Sequence, residues 1–290
     1  PAVQIGMLQP DEEDLIEQAV SLAKEVDAVV MVVGTNSDWE TEGNDRSTLQ
    51  LPGDQDELID RVVTANPNTV VVVNTGSPIS MPWIKDTKSI LQCWFPGQEF
   101  GNALYNILFG EVNPSGKLPT TFPKSLKDTP AFNHYPGENL QMDYLEEIFV
   151  GYRWYEKEKI KPLFPFGFGL SYTSFEYSNL RIIPPKQEDS AIAFSFKVTN
   201  TGGIRGKEAT QCYVSVHNSS IERAPKELKR FSKVDLEVGE TKELTFELTE
   251  RDLSYWNESA GSWAVEPAEY RIHVGGSSEE TPLEASTWLG

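Results

Sequence analysis

Over the first hundred residues, amphipathic stretches alternate with short β-branched runs. Leu15, Ile16, Ala19, Val20, Leu22, Ala23 and Val26 recur at helical spacing behind Asp11, a residue suited to cap a helix. Val29, Val30, Val32 and Val33 follow as a run that is apolar on both faces and too short for a helix, which predicts a buried strand. The same reading predicts a helix from about Asp54 to Ala65, with Leu58, Ile59, Val62 and Val63 inward, stopping before Asn66-Pro67. A strand at Thr69 to Val73, a short strand around Ile90, Leu91 and Trp94, and a helix from Asn102 to Phe109 complete the series. Strands separated by helices predict a parallel sheet covered on both faces, an α/β sandwich.

From about Asn113 to Ser171 the chain turns rich in Pro, Gly and aromatic residues. Tyr135, Phe149, Tyr152, Trp154 and Tyr155 need burial, so this stretch predicts an ordered connector rather than a loose linker. Beyond Tyr172 the period falls to two. Phe194, Phe196 and Val198 alternate with Ala193, Ser195, Lys197 and Thr199, and turns such as Asn200-Thr-Gly-Gly203 and Val238-Gly-Glu240 separate further strands. About seven strands in this span fit an all-β, immunoglobulin-like sandwich. The predicted organisation is 1–125 α/β sandwich, 126–171 connector and 172–290 all-β sandwich. Tyr255, Trp256 and Trp263 are expected to pack within the last, which is read as a scaffold with no ligand site of its own.

Composition narrows the function. A net charge of −19 disfavours nucleic acid and anionic membranes as partners. No run of about 18 apolar residues is present. Two cysteines, Cys93 and Cys212, exclude a disulfide framework and leave the compartment unread. His134, His217 and His273 are scattered without metal-ligand spacing, and no glycine fingerprint follows a strand, so neither a metal nor a dinucleotide is expected. Asn218-Ser-Ser and Asn257-Glu-Ser are candidate glycosylation sites, and an extracellular or periplasmic setting is favoured.

The chemistry concentrates after the first strand. Asp38, Glu40, Glu42 and Asp45 project from the loop beyond its carboxyl end, the edge at which open α/β sheets bind ligands. Gly43 leaves room for close approach, and Arg46 offers a planar cation that can pin one carboxylate while another stays free to titrate.

The string WETEGNDRSTLQLPGDQDELI closely resembles the acid/base loop of family 3 glycoside hydrolases of the β-glucosidase type. Asn74-Thr-Gly-Ser-Pro78, Gly97-Gln-Glu-Phe-Gly101, Gly110-Glu-Val-Asn-Pro-Ser-Gly-Lys-Leu-Pro119 and Phe164-Pro-Phe-Gly-Phe-Gly-Leu-Ser-Tyr172 resemble further phrases of that family, in order. The resemblance implies that the last domain is fibronectin type III-like. It also implies that Glu42 is the general acid/base, with Glu40 as its competitor two residues away. Such a group protonates the leaving oxygen and later activates water, in retaining hydrolysis of terminal non-reducing β-D-glucosyl units without any cofactor.

Trp39, Asp45 and Arg46 are the candidate substrate contacts, with Arg46 and Asp45 read first as residues that hold the loop. Ser37-Asp38-Trp39 mimics the family's nucleophile motif, but that motif belongs to an N-terminal (β/α) barrel, so Asp38 is read as shaping the loop. The resemblance further implies that the α/β sandwich is incomplete at its N-terminus and that the chain lies downstream of an inserted module or a nick. A barrel segment or chain of the same enzyme is the expected partner, self-association is left open, and the chain alone is expected to be inactive. Two alternatives share these features: a non-catalytic carbohydrate-binding or adhesion protein, and another activity of the family such as a β-xylosidase.

Overall fold

The computed structural model describes residues 12–43 and 45–290. They fall into two compact units, one reaching to Phe100 and including Pro123–Leu126, the other comprising Gly101–Phe122 and Lys127–Gly290. In the first unit, β1 (Val29–Gly34), β2 (Thr69–Asn74) and β3 (Ser89–Gln92) form a parallel sheet in the order β1-β2-β3. α1 (Glu12–Glu25) leads into β1, and α2 (Gln55–Ala65) crosses from β1 to β2. The helices pack on each other, and Ile16, Val20 and Ala23 of α1 are buried with Ile59, Val62 and Val63 of α2. Asn66, which ends α2, donates from Nδ2 to the carbonyls of Ala23 and Val26, each at 2.9 Å, and so satisfies orphan acceptors at the end of α1. The Asp11 cap lies outside the described residues.

The strand positions agree with the periodicity, but the environment of β1 does not. Met31 and Val33 are buried, whereas Val30 is 52% and Val32 56% exposed. The cause is topological. β1 is the edge strand of the described sheet, and only the face bearing Met31 and Val33 is covered, while the central β2 buries Val71, Val72 and Val73 completely. Leu22 and Val26 of the α1 region are exposed as well.

The second unit opens with α3 (Phe100–Leu108), whose first residue lies in the other unit, and the connector follows. Phe149 and Tyr155 are buried as expected, the latter within α4 (Tyr152–Lys157), while Tyr135 stays half exposed. The connector is fastened to the sandwich. Tyr152 stacks on Phe166 and meets Tyr213 edge-on, its hydroxyl accepts from the Leu228 amide at 2.8 Å, and Gln211 Nε2 donates to the Gly167 carbonyl at 3.1 Å.

The sandwich itself has seven main strands. β4 (Phe175–Ile183) and β5 (Ser190–Asn200) pair with β8 (Thr241–Thr249) in the order β4-β5-β8. β6 (Gly206–His217), β7 (Glu227–Leu236), β11 (Ala268–Gly275) and β12 (Leu283–Leu289) form the second sheet in the order β12-β11-β6-β7. All these pairs are antiparallel. Phe194, Phe196 and Val198 from β5 meet Cys212, Val214, Leu236, Ile272 and Val274 in one core. After β8, the short α5 (Glu250–Leu253) begins with a reciprocal cap: the Asp252 amide donates to Thr249 Oγ1 at 3.2 Å and the Thr249 amide to Asp252 Oδ2 at 2.8 Å.

Trp256 and Trp263 correct the packing expectation. They lie on a separate hairpin, β9 (Tyr255–Asn257) and β10 (Ser262–Ala264), outside both sheets, and both are half exposed. They pack edge-on against each other at 5.4 Å, with the Arg251 guanidinium 3.2 Å from the Trp263 ring centroid.

Candidate active site

The loop is anchored at the carboxyl end of β1. Gly34 is required there, because a Cβ at this position would come within 2.1 Å of the Asn74 carbonyl oxygen on β2. Gln55, at the start of α2, serves Gly34 as a surrogate strand neighbour. Its Oε1 accepts from the Gly34 amide at 2.8 Å, and its Nε2 donates to the Gly34 and Pro52 carbonyls, each at 3.0 Å. The loop then folds on Asn36, whose side-chain oxygen accepts from the Asp38 amide at 3.0 Å and whose carbonyl accepts from the Glu40 amide at 2.8 Å. Asp38 is exposed and shapes this turn through its backbone.

Glu40 is the residue the turn aims inward. Its Oε1 accepts from Thr35 Oγ1 at 2.9 Å, from the Gly76 amide at 3.0 Å and from Ser77 Oγ at 3.2 Å; Ser77 Oγ also lies 3.3 Å from Oε2. A side chain on Gly76 would meet Phe95 at 2.7 Å and Glu40 Oε2 at 3.0 Å, so this glycine makes the approach of Glu40 to the end of β2 sterically feasible. Arg46 Nη1 donates to the same Ser77 hydroxyl at 2.6 Å, and its guanidinium lies 6.0 Å from the Trp39 ring centroid. Burial lowers the pKa of Arg46, and the Glu40 charge opposes that shift.

Glu42 has the opposite surroundings. It sits on the exposed tip of the loop, beside Gly43 at φ +82°, and makes no hydrogen bond or ion pair among the described residues. The structure thus separates two glutamates that are adjacent in wording. Glu40 is committed to holding the loop, and Glu42 is presented from it. Asp45 is exposed and Trp39 half-buried. Trp39 Nε1 and Arg46 Nε and Nη2 are buried donors without an acceptor among the described residues. Thr35, Gln55, Gly76 and Ser77 are the contributors that the acidic loop alone does not reveal. Gln55 was visible only as part of the LPGDQ phrase, and Gly76 and Ser77 only as part of Asn74-Thr-Gly-Ser-Pro78, with nothing to link them to the acidic loop. Among the described residues no group of His, Cys, Asp or Glu is placed to hold a metal ion. Of the glycosylation candidates, Asn218 is exposed at the end of β6, and Asn257 Oδ1 accepts from the Ala260 amide at 3.1 Å within the hairpin.

Residues 6–172 match the family described as Glycosyl hydrolase family 3 C-terminal domain. The chain belongs to glycosyl hydrolase family 3. Residues 208–278 match a fibronectin type III-like domain, in agreement with the seven-stranded sandwich. Thermostable beta-glucosidase B of Acetivibrio thermocellus is 45% identical over 276 residues, which cover 95% of this chain and 37% of that protein. A probable beta-glucosidase I of Aspergillus clavatus is 43% identical over 96% of this chain and 35% of its own length. Among solved structures, the beta-glucosidase of Kluyveromyces marxianus superposes with a TM-score of 0.91 at 43% identity, over 99% of this chain and 35% of that one. The GH3 beta-glucosidase of Bifidobacterium adolescentis gives 0.92 at 40% identity, over 98% and 42%. The family 3 chain therefore spans roughly a third of the length of the curated relatives it matches.

Proposed function

We propose that this chain supplies the general acid/base, Glu42, to a retaining β-glucosidase that hydrolyses terminal non-reducing β-D-glucosyl residues, with the nucleophile on an N-terminal barrel segment of the same enzyme. The observation that carries the reading is the division of labour between Glu40 and Glu42. A group that must give up and regain a proton against a sugar oxygen is poorly served by a carboxylate that already accepts several hydrogen bonds opposite an arginine. Glu42 is free to make that contact. The exposed Val30 and Val32 and the edge of β1 support a further protein segment covering this face in the assembled enzyme. The unpartnered donors of Trp39 and Arg46 support an acceptor from substrate or from that segment. In the resulting mechanism a carboxylate of the barrel attacks the anomeric carbon while Glu42 protonates the departing oxygen, and Glu42 then deprotonates the water that releases the sugar.

Substrates of graded leaving-group ability test this. In the assembled enzyme, Glu42→Gln should slow hydrolysis of alkyl glucosides and cellobiose by about 10²–10⁴-fold. Cleavage of the glycosidic bond in dinitrophenyl glucosides should slow far less, because that leaving group needs little protonation. Equal losses on both substrate classes contradict the assignment.

A further inference from the structure

The outward face of the four-stranded sheet carries a cross-strand row that the packing of the sandwich does not require. Glu269 on β11 is registered with His217 on β6 and with Trp288 on β12. The next row on the same face is Ser215, Arg271 and Ser286, since residues two apart on a strand point the same way. Trp288 is 66% exposed, and the glycine at 290 leaves its Nε1 edge clear, since a Cβ there would come within 3.3 Å of Nε1. Beside it opens a cleft of about 480 Å³ lined by His217, Asn218, Pro267, Glu269, Ser286 and Trp288.

The polar groups here are held in place. Ser286 and Arg271 bond the Glu269 carboxylate, Arg271 Nη2 at 3.3 Å, and with Ser286 foremost they keep Glu269 below the usual carboxylate range. Arg271 Nη1 lies 3.8 Å from Glu284 on the far side. Fixed polar side chains around a bare indole suit one ligand class. A pyranose with equatorial hydroxyls presents a face of axial C–H groups to an aromatic ring, while its rim hydroxyls bond to carboxylate, guanidinium and amide groups. The opposed charges of Glu269 and Arg271 do not favour an anion, nor does the net charge of −19.

We propose that Trp288, with Glu269, Arg271 and His217, forms a saccharide-binding subsite on the outer face of the fibronectin-like sandwich; that its occupant is a β-linked glucosyl chain rests on the β-glucosidase reading proposed above. This reverses the expectation that the sandwich carries no sugar site, and it does not depend on the role of Glu42. The test is affinity electrophoresis of the 290-residue chain, made in a host without N-glycosylation so that Asn218 stays bare, through gels containing soluble mixed-linkage β-glucan or dextran. The β-glucan should retard the wild type and dextran should not. Trp288→Ala should raise the dissociation constant about tenfold. Trp263→Ala should leave it unchanged. Glu269→Gln should weaken binding by a smaller factor, and it serves as the readout if Trp288→Ala melts early. An unretarded wild type, equal retardation by dextran, or full retardation of both cleft variants overturns the proposal.

Discussion

β1 and β5 each carry a strongly apolar face and end in opposite circumstances. In β5, Phe194, Phe196 and Val198 are fully buried, and the core they enter is closed by the facing sheet. In β1, Val30 and Val32 face outward from an edge strand. The polar groups do not divide in the same way. Buried Glu208 meets Lys117 Nζ at 3.2 Å and the Tyr177 hydroxyl at 2.7 Å, but buried nitrogens without a hydrogen-bond acceptor among the described residues occur in both regions, Trp39 Nε1 and Arg46 Nη2 in the α/β unit and Arg223 Nη2 and Arg271 Nε in the sandwich. The contrast is therefore one of apolar covering: the two sheets of the sandwich close over β5, whereas β1 leaves Val30 and Val32 on an open face.

This contrast can be broken by mutation. Phe194→Ala should cost about 3–5 kcal/mol of stability by chemical denaturation, because a large side chain leaves a cavity in a closed core. Val32→Ala in the same chain should change stability by less than about 0.5 kcal/mol. Comparable costs for the two would remove the distinction.

A smaller effect is expected from Glu156 in the connector, where burial outweighs the nearby Lys226 and raises the carboxyl pKa to about 7. Its folded-state pKa is above the unfolded value, so its contribution is fully present below about pH 4.5 and is lost as pH rises through 7. The melting temperature of the wild type should therefore decline relative to Glu156→Gln across this window. A constant difference between the two proteins would contradict the assignment. The smallest effect is Thr249→Ala, which removes one side of the α5 cap and should cost about 1 kcal/mol by the same denaturation measurement.

Much of this architecture was legible from periodicity. The positions of β1, β2 and α2, the change to period two beyond Tyr172 and the core face of β5 follow from local patterns, because backbone geometry forces apolar residues to repeat at those spacings. The exposure of Val30 and Val32 was not legible, since a doubly apolar strand pattern does not say what covers each face. The anchoring of Glu40 was hidden for a different reason. Its partners Gly76 and Ser77 are more than thirty residues away and meet it only because β1 and β2 are parallel neighbours. Trp256 and Trp263 were misjudged, since large aromatic residues in a β domain are usually core. Trp288 has no distinguishing local pattern, and only the register places it opposite Glu269, on the face that also bears Arg271.

The central claim is that Glu40 holds the loop and Glu42 performs the proton transfers. Azide rescue measures this most directly, because a small anion can take the sugar from a glycosyl-enzyme without a general base. With dinitrophenyl β-glucoside and the assembled enzyme, Glu42→Gln should regain turnover as azide is added and should form β-glucosyl azide. Glu40→Gln should show neither effect. Rescue of Glu40→Gln, with Glu42→Gln unresponsive, would contradict the account.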